Sequence, residues 1–334
     1  EVLALVTYPS YDNNMLSGTV DAAYYSSLNN DLSLPLYNNA TQVVKAPGST
    51  FKPITAIAGL EEGVISTTDT IKCTGLYEEA SPPLRCVVFP GMHSDLDVVG
   101  GIQNSCNYFF AEVAHRLSTD ETGVYSTERG LETIREYASL FGLDHKSGVE
   151  IEENSPRLST EDPERSAIGQ GSNAYTNVQL ARYVTALANR GDVYELSLID
   201  KVTSSSGEVV QDYSPELYQH VEISDTTWNA VQTGMREVVA SGSAQAIFRD
   251  LPVEIAGKTG TAQESTRANH GLFISYGPYA DPEISVVVNI PYGYSSSNAA
   301  SVAKYVYQLY YGYLSLEEIL EGDAIAVSNV VIQD

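Results

Sequence analysis

Residues 253–290 constrain the fold most tightly, because short apolar runs alternate there with chain breakers. The runs lie at 253–263, 271–277 and 284–290, and Pro278 and the pair Asp281-Pro282 interrupt them. Strands with such short links predict an antiparallel meander. Residues 297–313 then carry a helical pattern. A regular parallel βαβ repeat is therefore disfavoured.

Upstream of the meander the pattern is mostly helical. Helices are predicted over 49–62, 130–142, 177–190 and 225–241, with a further helical stripe made by Ile102, Cys106, Phe109 and Val113. Residues 1–8 have a strand pattern, and we expect them to join the sheet of the meander. The order of elements predicts a mixed α/β (α+β) fold, and 334 residues suit one large domain or two modest ones.

Charge excludes one class of function. Lysine and arginine total 18 against 43 aspartates and glutamates, so the formal net charge is −25. Nucleic-acid binding needs concentrated positive charge, so we expect no nucleic-acid partner. The chain is not a disordered acidic tail either, because 43% of its residues are apolar. No apolar run approaches the ~18 residues of a membrane span.

Three cysteines are too few for a disulfide framework. Cys73 and Cys86 either pair with each other or are two separate small core residues. The five histidines are scattered and form no H-x-H pair, and no C-x-x-C is present. We therefore expect no metal site.

Ser49 and Lys52 form an S-x-x-K motif at a predicted helix start. Residues three apart on a helix are surface neighbours, so the Ser49 hydroxyl and the Lys52 amine can meet. A serine needs an adjacent base to act as a nucleophile, and a lysine is such a base once burial lowers its pKa. Taken alone, the motif is better explained as a helix cap followed by a surface lysine.

Two further motifs follow. Ser105-Cys106-Asn107 is an S-x-N element whose hydroxyl and amide can face one cleft. Lys258, Thr259, Gly260 and Thr261 lie on the first strand of the meander, where the lysine and threonines can hold a carboxylate and the glycine lets substrate approach the backbone. Taken alone, the first is ordinary helix-start chemistry and the second an edge-strand lysine that discourages aggregation.

The ordered set S-x-x-K, S-x-N and K-T-G is the signature of penicillin-binding proteins and related β-lactamases. The words A-P-G-S-T-F-K-P, N-S-C-N-Y-F-F and G-K-T-G-T-A-Q resemble the transpeptidase domain of class B penicillin-binding proteins. The I-G-Q-G word at 168–171, T-N-V-Q-L-A at 176–181 and the opening E-V-L-A-L-V-T-Y are also similar, so the resemblance covers essentially the whole chain. The sequence departs from the usual pattern of this family at 270–276, Asn177 and His93-Ser94, and these differences affect strand packing and cleft edges.

The resemblance implies a β-lactamase/transpeptidase-like fold with a central antiparallel sheet of about five strands flanked by helices. The sheet subdomain would comprise roughly 1–45 and 245–325, and a mostly helical subdomain roughly 65–240. Members of the family work outside the bacterial cytoplasm, anchored by an N-terminal membrane helix, so we expect an anchor and a stalk domain upstream of this chain. An extracytoplasmic location makes a Cys73–Cys86 disulfide permissible.

The resemblance also implies a D,D-transpeptidase mechanism on stem peptides that end in D-Ala-D-Ala. Ser49 would form the acyl-enzyme with Lys52 as its general base, Ser105 would relay a proton, and Asn107 would position Lys52 and the substrate. The substrate carboxylate would be held by Lys258, Thr259 and Thr261. The backbone N–H groups of Ser49 and Thr261 would form the oxyanion hole. No cofactor is implied, β-lactams would acylate Ser49, and a membrane glycan polymerase of the elongation or division machinery is the expected partner.

Several functions remain open within the same fold. A β-lactamase needs a group that activates water, and no E-x-x-L-N stretch lies between Asn107 and Lys258. A β-lactam sensor, a D,D-carboxypeptidase and a non-catalytic scaffold are also compatible with this fold. The scaffold is disfavoured because all the motif residues are present.

Acidic residues avoid the motifs. None occurs in 32–60, 98–111, 165–191 or 255–263. Buried helices also lack acids, which is the simpler explanation. The functional explanation is that a cleft for a carboxylate-ended peptide excludes negative charge.

Overall fold

A computed structural model describes residues 1–262 and 269–320. Its helices are α1 (Ala22–Asn30), α2 (Lys52–Glu61), α3 (Val98–Gln103), α4 (Asn107–Ser118), α5 (Thr127–Leu140), α6 (Pro163–Ala167), α7 (Asn177–Ala188), α8 (Asp225–Ala240), α9 (Gln245–Phe248), α10 (Ser296–Tyr310) and α11 (Leu316–Leu320), with 3-10 turns at Asn13–Leu16 and Gly48–Phe51. Its strands are β1 (Ile71–Lys72), β2 (Leu76–Tyr77), β3 (Leu84–Arg85), β4 (Asp95–Leu96), β5 (Asp192–Tyr194), β6 (Lys201–Thr203), β7 (Val209–Asp212), β8 (Leu217–His220), β9 (Ala256–Ala262), β10 (His270–Gly277) and β11 (Ile284–Ile290). None of the helices in these ranges is long and apolar enough to cross a membrane.

The predicted meander is confirmed as an antiparallel sheet in the order β11–β10–β9. Every side chain of the central strand β10 is buried, which explains its nearly continuous apolar sequence. Lys258 of β9 stands opposite Ile274 of β10. Helices α7, α8 and α10 pack against this sheet. The last predicted position of the first strand, Gln263, lies outside the described residues.

The predicted α/β fold class is confirmed, but the sheet differs from the expectation of about five strands. Within the two described ranges it has three. The prediction of a strand over residues 1–8 is wrong: this segment has no strand pairing, and Val2 only donates a hydrogen bond to the Ser197 carbonyl at 2.9 Å. Its apolar side chains pack instead, since Val2 and Leu5 contact the small cluster of Val149, Val178 and Leu196.

The helix predictions over 49–62, 130–142, 177–190, 225–241 and 297–313 are confirmed to within a few residues. The stripe from Ile102 to Val113 is not one helix. It is divided into α3 and α4, because Cys106 has an extended backbone and caps α4, with its sulfur accepting from the Phe109 N–H. The chain therefore turns between the two helices at the S-x-N motif.

Helix α2 lies in the middle of the core, where its residues from Lys52 to Gly59 are all buried. Pro53 stands in its first turn, where a missing N–H costs nothing. Helices α4, α5 and α8 pack against α2. A lysine at the start of a core helix cannot reach bulk water, and this determines its chemistry.

Candidate active site

The turn that carries Ser49 is held in place by residues from distant parts of the chain. The Gly48 N–H donates to the Gly169 carbonyl at 3.0 Å, and the Thr50 carbonyl accepts from the Tyr183 hydroxyl at 3.2 Å. One helical turn on, the Lys52 N–H donates to the Ser49 carbonyl. Ser49 itself is half-buried and lines a cleft. The hydroxyl is therefore presented from a backbone with little freedom to move.

Gly169 explains the I-G-Q-G word. Its φ is +75°, and a Cβ at this position would lie 2.0 Å from the Gly48 carbonyl oxygen. Any other residue would clash with the backbone of the nucleophile turn. This word is thus a structural support for Ser49.

Lys52 is fully buried, so the alternative of a surface lysine is wrong. Its Nζ donates to the Ser105 carbonyl at 2.6 Å and to Asn107 Oδ1 at 2.7 Å, and lies 3.2 Å from Ser105 Oγ. Burial lowers the pKa of Lys52 to about 8, against the opposing influence of the Cys106 and Cys86 thiols. A substantial neutral fraction near pH 8 is what a general base requires.

The S-x-N turn has an uncommon backbone. Ser105 has φ +52°, in the left-handed region that a residue with a side chain rarely adopts. The turn is held by hydrogen bonds from the Ser105 N–H to the Ile102 carbonyl and from the Cys106 N–H to the Gly101 carbonyl, at 3.1 and 3.0 Å. This conformation places the Ser105 carbonyl and hydroxyl at Lys52. Local strain of this kind is often found at functional sites.

Asn107 joins two walls of the site. Its Oδ1 accepts from Lys52, and its Nδ2 donates to the Arg85 carbonyl at 3.0 Å. The carboxamide thereby connects the core helix α2 to strand β3. A carboxamide suits this position because it accepts through its oxygen and donates through its nitrogen, with a fixed separation between the two.

The K-T-G strand forms the opposite wall. Lys258 lies on the edge strand β9 but is fully buried, unlike an exposed lysine that protects a sheet edge. Its Nζ donates to the Thr259 carbonyl at 3.0 Å. The Thr259 hydroxyl lies 3.0 Å from Ser243 Oγ, at the end of α8. Sequence analysis did not identify Ser243, because its link to the motif is purely tertiary.

Gly260 meets a packing requirement in addition to the role expected from the sequence. A Cβ here would lie 2.6 Å from Thr50 Cγ2 and 3.1 Å from the Pro47 carbonyl oxygen. The missing side chain therefore lets β9 pack directly on the nucleophile turn. The glycine is therefore needed for the close packing of this strand against the turn that carries Ser49.

The predicted site residues surround one cleft of about 1020 Å³. Its walls include Ser49, Ser105, Asn107, Thr259, Gly260 and Thr261, whereas Lys52 and Lys258 are buried beneath them. Across the described part of the chain, no aspartate or glutamate lines the cleft, as the acid-free stretches predicted. Arg85 and Arg165 are its cationic lining residues.

A cluster of soft ligands lies directly behind the S-x-N turn. One ligand atom each from Cys73, Cys86, His93 and Cys106 lies within 4.8 Å of the other three. The Cys86 sulfur is 3.6 Å from the Cys106 sulfur and 3.5 Å from His93 Nδ1. The candidate Cys73–Cys86 disulfide is not formed, since all three cysteines are free and buried.

Three thiols and one imidazole match the donor set of tetrahedral Zn²⁺ sites. A hydrogen bond with Cys106 lowers the pKa of the Cys86 thiol, which favours the thiolate that binds metal. The expectation of no metal site therefore needs revision: these residues can hold a Zn²⁺ ion. The sequence does not show the close ligand spacing of common zinc motifs. The ligands come together only in the fold, through the antiparallel pairs β1–β4 and β2–β3.

The cleft geometry and the surrounding fold define the class as active-serine, penicillin-recognising proteins. More narrowly, the chain belongs to the family of the penicillin binding protein transpeptidase domain, whose family model matches residues 1–309. The sequence-based identification of this family is confirmed, including its relationship to the class B members.

Relatives and solved structures agree with this assignment. The chain is 31% identical to the peptidoglycan D,D-transpeptidase MrdA of Haemophilus influenzae, over 92% of this chain and 51% of that protein. Its fold resembles that of Pseudomonas aeruginosa PBP2 in complex with WCK 5153, with a TM-score of 0.81 and 28% identity over 95% of this chain and 73% of that one.

A third similarity is to a peptidoglycan synthase complex whose structure concerns the coordination of polymerization and crosslinking. The TM-score is 0.78 at 25% identity, over 93% of this chain and 53% of that one. The chain spans about half the length of the curated relatives that it matches.

Proposed function

We propose that this chain is the catalytic domain of a peptidoglycan D,D-transpeptidase that acts through a Ser49 acyl-enzyme. One observation carries the proposal: the buried Lys52 Nζ contacts both Ser105 and Asn107, one helical turn after Ser49. The lowered pKa of this lysine, about 8, suits a base that must take a proton from a serine. The 31% identity to a peptidoglycan D,D-transpeptidase supports the same reaction.

In the first step, neutral Lys52 takes the hydroxyl proton as Ser49 Oγ attacks the carbonyl of the penultimate D-alanine. The backbone N–H groups of Ser49 and Thr261 stabilise the oxyanion, an interaction worth about 3 kcal/mol per donor. As the tetrahedral intermediate collapses, terminal D-alanine leaves and its amine receives the proton from Lys52 through Ser105. Asn107 keeps Lys52 in position throughout.

The terminal carboxylate of the donor is held by the K-T-G wall. Lys258 supplies the positive charge, and the Thr259 and Thr261 hydroxyls donate hydrogen bonds. The absence of acids among the described lining residues supports this assignment, because they do not repel a carboxylate. An amine of a neighbouring stem peptide then attacks the acyl-enzyme and forms the cross-link. Protein side chains suffice for each of these steps, and β-lactams acylate Ser49 as mimics of the donor.

The wider setting of the domain follows from the same proposal. The catalytic cleft lies between a sheet subdomain, roughly 245–325, and a helical subdomain, roughly 65–240; residues 321–325 lie outside the described residues. Residues 1–45, also expected in the sheet subdomain, contribute no strand to the described sheet. The domain works on the extracytoplasmic face of the bacterial membrane. A glycan polymerase is its partner, as the related synthase complex that joins polymerization to crosslinking suggests.

Covalent labelling with a fluorescent penicillin tests the nucleophile. We expect one adduct per chain in the wild type, none in Ser49→Ala, and full labelling of the control Ser206→Ala, an exposed serine outside the cleft. Labelling that survives in Ser49→Ala would refute the assignment.

Turnover separates the functions that share this fold. The described cleft lining holds no carboxylate to activate water, so we expect slow release of the penicilloyl group. Rapid, continuous hydrolysis of a chromogenic cephalosporin would instead identify a β-lactamase. A D-Ala-D-Ala peptide that is only hydrolysed, even with an excess of acceptor amine, would identify a carboxypeptidase.

A further inference from the structure

Among the described residues, Arg85 and Arg165 are the two arginines that line the cleft, and their guanidinium groups have different contacts. The Arg165 guanidinium binds the Asp162 carboxylate and the Pro82 carbonyl, so it connects the segment around Pro82 to α6. Arg85 is exposed, and within the described residues its guanidinium forms no ion pair with any carboxylate. Its guanidinium carbon instead lies 5.0 Å from the centre of the Phe89 ring.

The backbone of Arg85 is fixed although its side chain is available. The residue ends strand β3, pairs with Leu76 of β2, and offers its carbonyl to Asn107 Nδ2 at 3.0 Å. The next residue, Cys86, is anchored by its N–H to the Gly75 carbonyl at 2.9 Å. The Arg85 side chain therefore extends from a fixed backbone position next to the S-x-N motif.

The direction of the donor peptide determines what reaches Arg85. The terminal carboxylate lies at the K-T-G wall and the scissile carbonyl at Ser49. Residues that precede the scissile bond must then leave the cleft on the side away from that wall. Pro83, Leu84, Arg85, Val87 and Val88 line it beside the S-x-N turn.

We propose that Arg85 is a specificity-determining residue that binds a second carboxylate of the acyl-donor peptide, N-terminal to the scissile bond. An arginine recognises a carboxylate with two parallel hydrogen bonds, and none of the described lining residues is an acid that would compete for it. This inference rests on the proposed transpeptidase function. It identifies the preferred substrate class as peptides whose residue before D-Ala-D-Ala carries a free carboxylate.

The test uses two synthetic donor peptides that differ only at this residue, with a free carboxylate in one and the matching carboxamide in the other. We expect the wild type to prefer the carboxylate by about ten- to a hundredfold in kcat/KM, the usual value of a charge-assisted hydrogen bond. Arg85→Gln should reduce this ratio to about one, and Arg85→Lys should retain part of it. The Asn107 contact survives both changes, because it uses the backbone carbonyl.

Arg249→Gln is the matched control, since it removes the same charge from an exposed position outside the cleft. Its preference ratio should equal that of the wild type. A wild type without preference, or an Arg85→Gln variant that keeps the full preference, would overturn the proposal. If penicillin labels the wild type but neither peptide reacts, the proposed transpeptidase function is wrong. This outcome differs from those that contradict only the role of Arg85.

Discussion

Lys52 and Asn107, separated by 55 positions in the sequence, are joined by a 2.7 Å hydrogen bond at the wall of the cleft. The same carboxamide donates to the Arg85 carbonyl at 3.0 Å. One side chain therefore sets the position of the base and of the wall that faces the donor peptide. The site is a connected set of contacts, and each contact can be tested separately.

The reaction with penicillin should depend on the protonation of Lys52. Burial lowers the pKa of this amine to about 8, and only the neutral amine can accept the Ser49 proton. We expect the second-order rate of acylation to rise with pH and to level off above about 8. Lys52→Arg, which stays charged, should be inactive at every pH. A wild-type rate that falls as the pH rises toward 8 would contradict this role.

Asn107→Ala should damage both walls of the cleft. It removes an acceptor from a buried lysine, which costs about 1–3 kcal/mol of unfolding free energy. Acylation by penicillin should fall by about a hundredfold or more, because Lys52 loses its positioning contact. Asn29→Ala, on the exposed face of α1, should change neither quantity. Stopped-flow acylation and urea unfolding measure the two effects, and an unaltered acylation rate would contradict the prediction.

Gly260→Ala should push β9 away from the nucleophile turn. The added Cβ would lie 2.6 Å from Thr50 Cγ2. Thr50→Ser removes this methyl group and retains the hydroxyl that donates to the Pro47 carbonyl at 2.8 Å. The double variant should therefore recover part of the stability and acylation rate that Gly260→Ala loses. A double-mutant cycle with no coupling between the two positions would show that the strand has another reason for its glycine.

Substitutions at Ser105 should separate its hydroxyl from its backbone. The residue holds φ +52°, a conformation that glycine adopts without strain. Ser105→Gly should be more stable than Ser105→Ala by about 1 kcal/mol, although both lose the hydroxyl and should acylate slowly. Thermal unfolding compares the two variants. Equal stability would indicate that the turn stores no strain.

The thiol cluster should bind Zn²⁺. We expect protein purified with its metal to contain about one zinc per chain by elemental mass spectrometry, and removal of the metal by a chelator to lower the melting temperature. His93→Ala should weaken retention of the metal, whereas His220→Ala, an exposed histidine elsewhere, should not. Protein that takes up no zinc in solutions that contain it, with all three thiols free, would contradict the prediction.

Local sequence patterns predicted the parts of the site that depend on short-range structure. Ser49 and Lys52 are one helical turn apart. Residues Lys258 to Thr261 lie on a strand that the sequence predicts from its apolar run and from the chain breakers that follow it. The left-handed turn at Ser105 was not predictable in this way, because a serine rarely adopts a positive φ and the apolar pattern carries no sign of it. Ser243 and the four candidate zinc ligands are brought into place only by tertiary packing.

For the opening segment, the local sequence pattern predicted a strand that the fold does not form. Residues 1–8 have the composition of a strand, yet Val2 and Leu5 cover a small apolar cluster instead of joining a sheet. A strand-like pattern indicates only that alternate residues are buried, and they can be buried against parts of the fold other than a sheet. The family resemblance could not correct this prediction, because strand pairing depends on a partner elsewhere in the chain.

The nucleophile turn rests on Gly169 from one side and on Gly260 of β9 from the other. Both supports come from far along the chain, and neither exists until the regions that carry them have packed. We therefore expect penicillin labelling of Ser49 to require that both supporting regions have packed. A partly folded chain that lacks either support should form no covalent adduct even with Ser49 and Lys52 intact, so the adduct can be used to follow the folding of the domain.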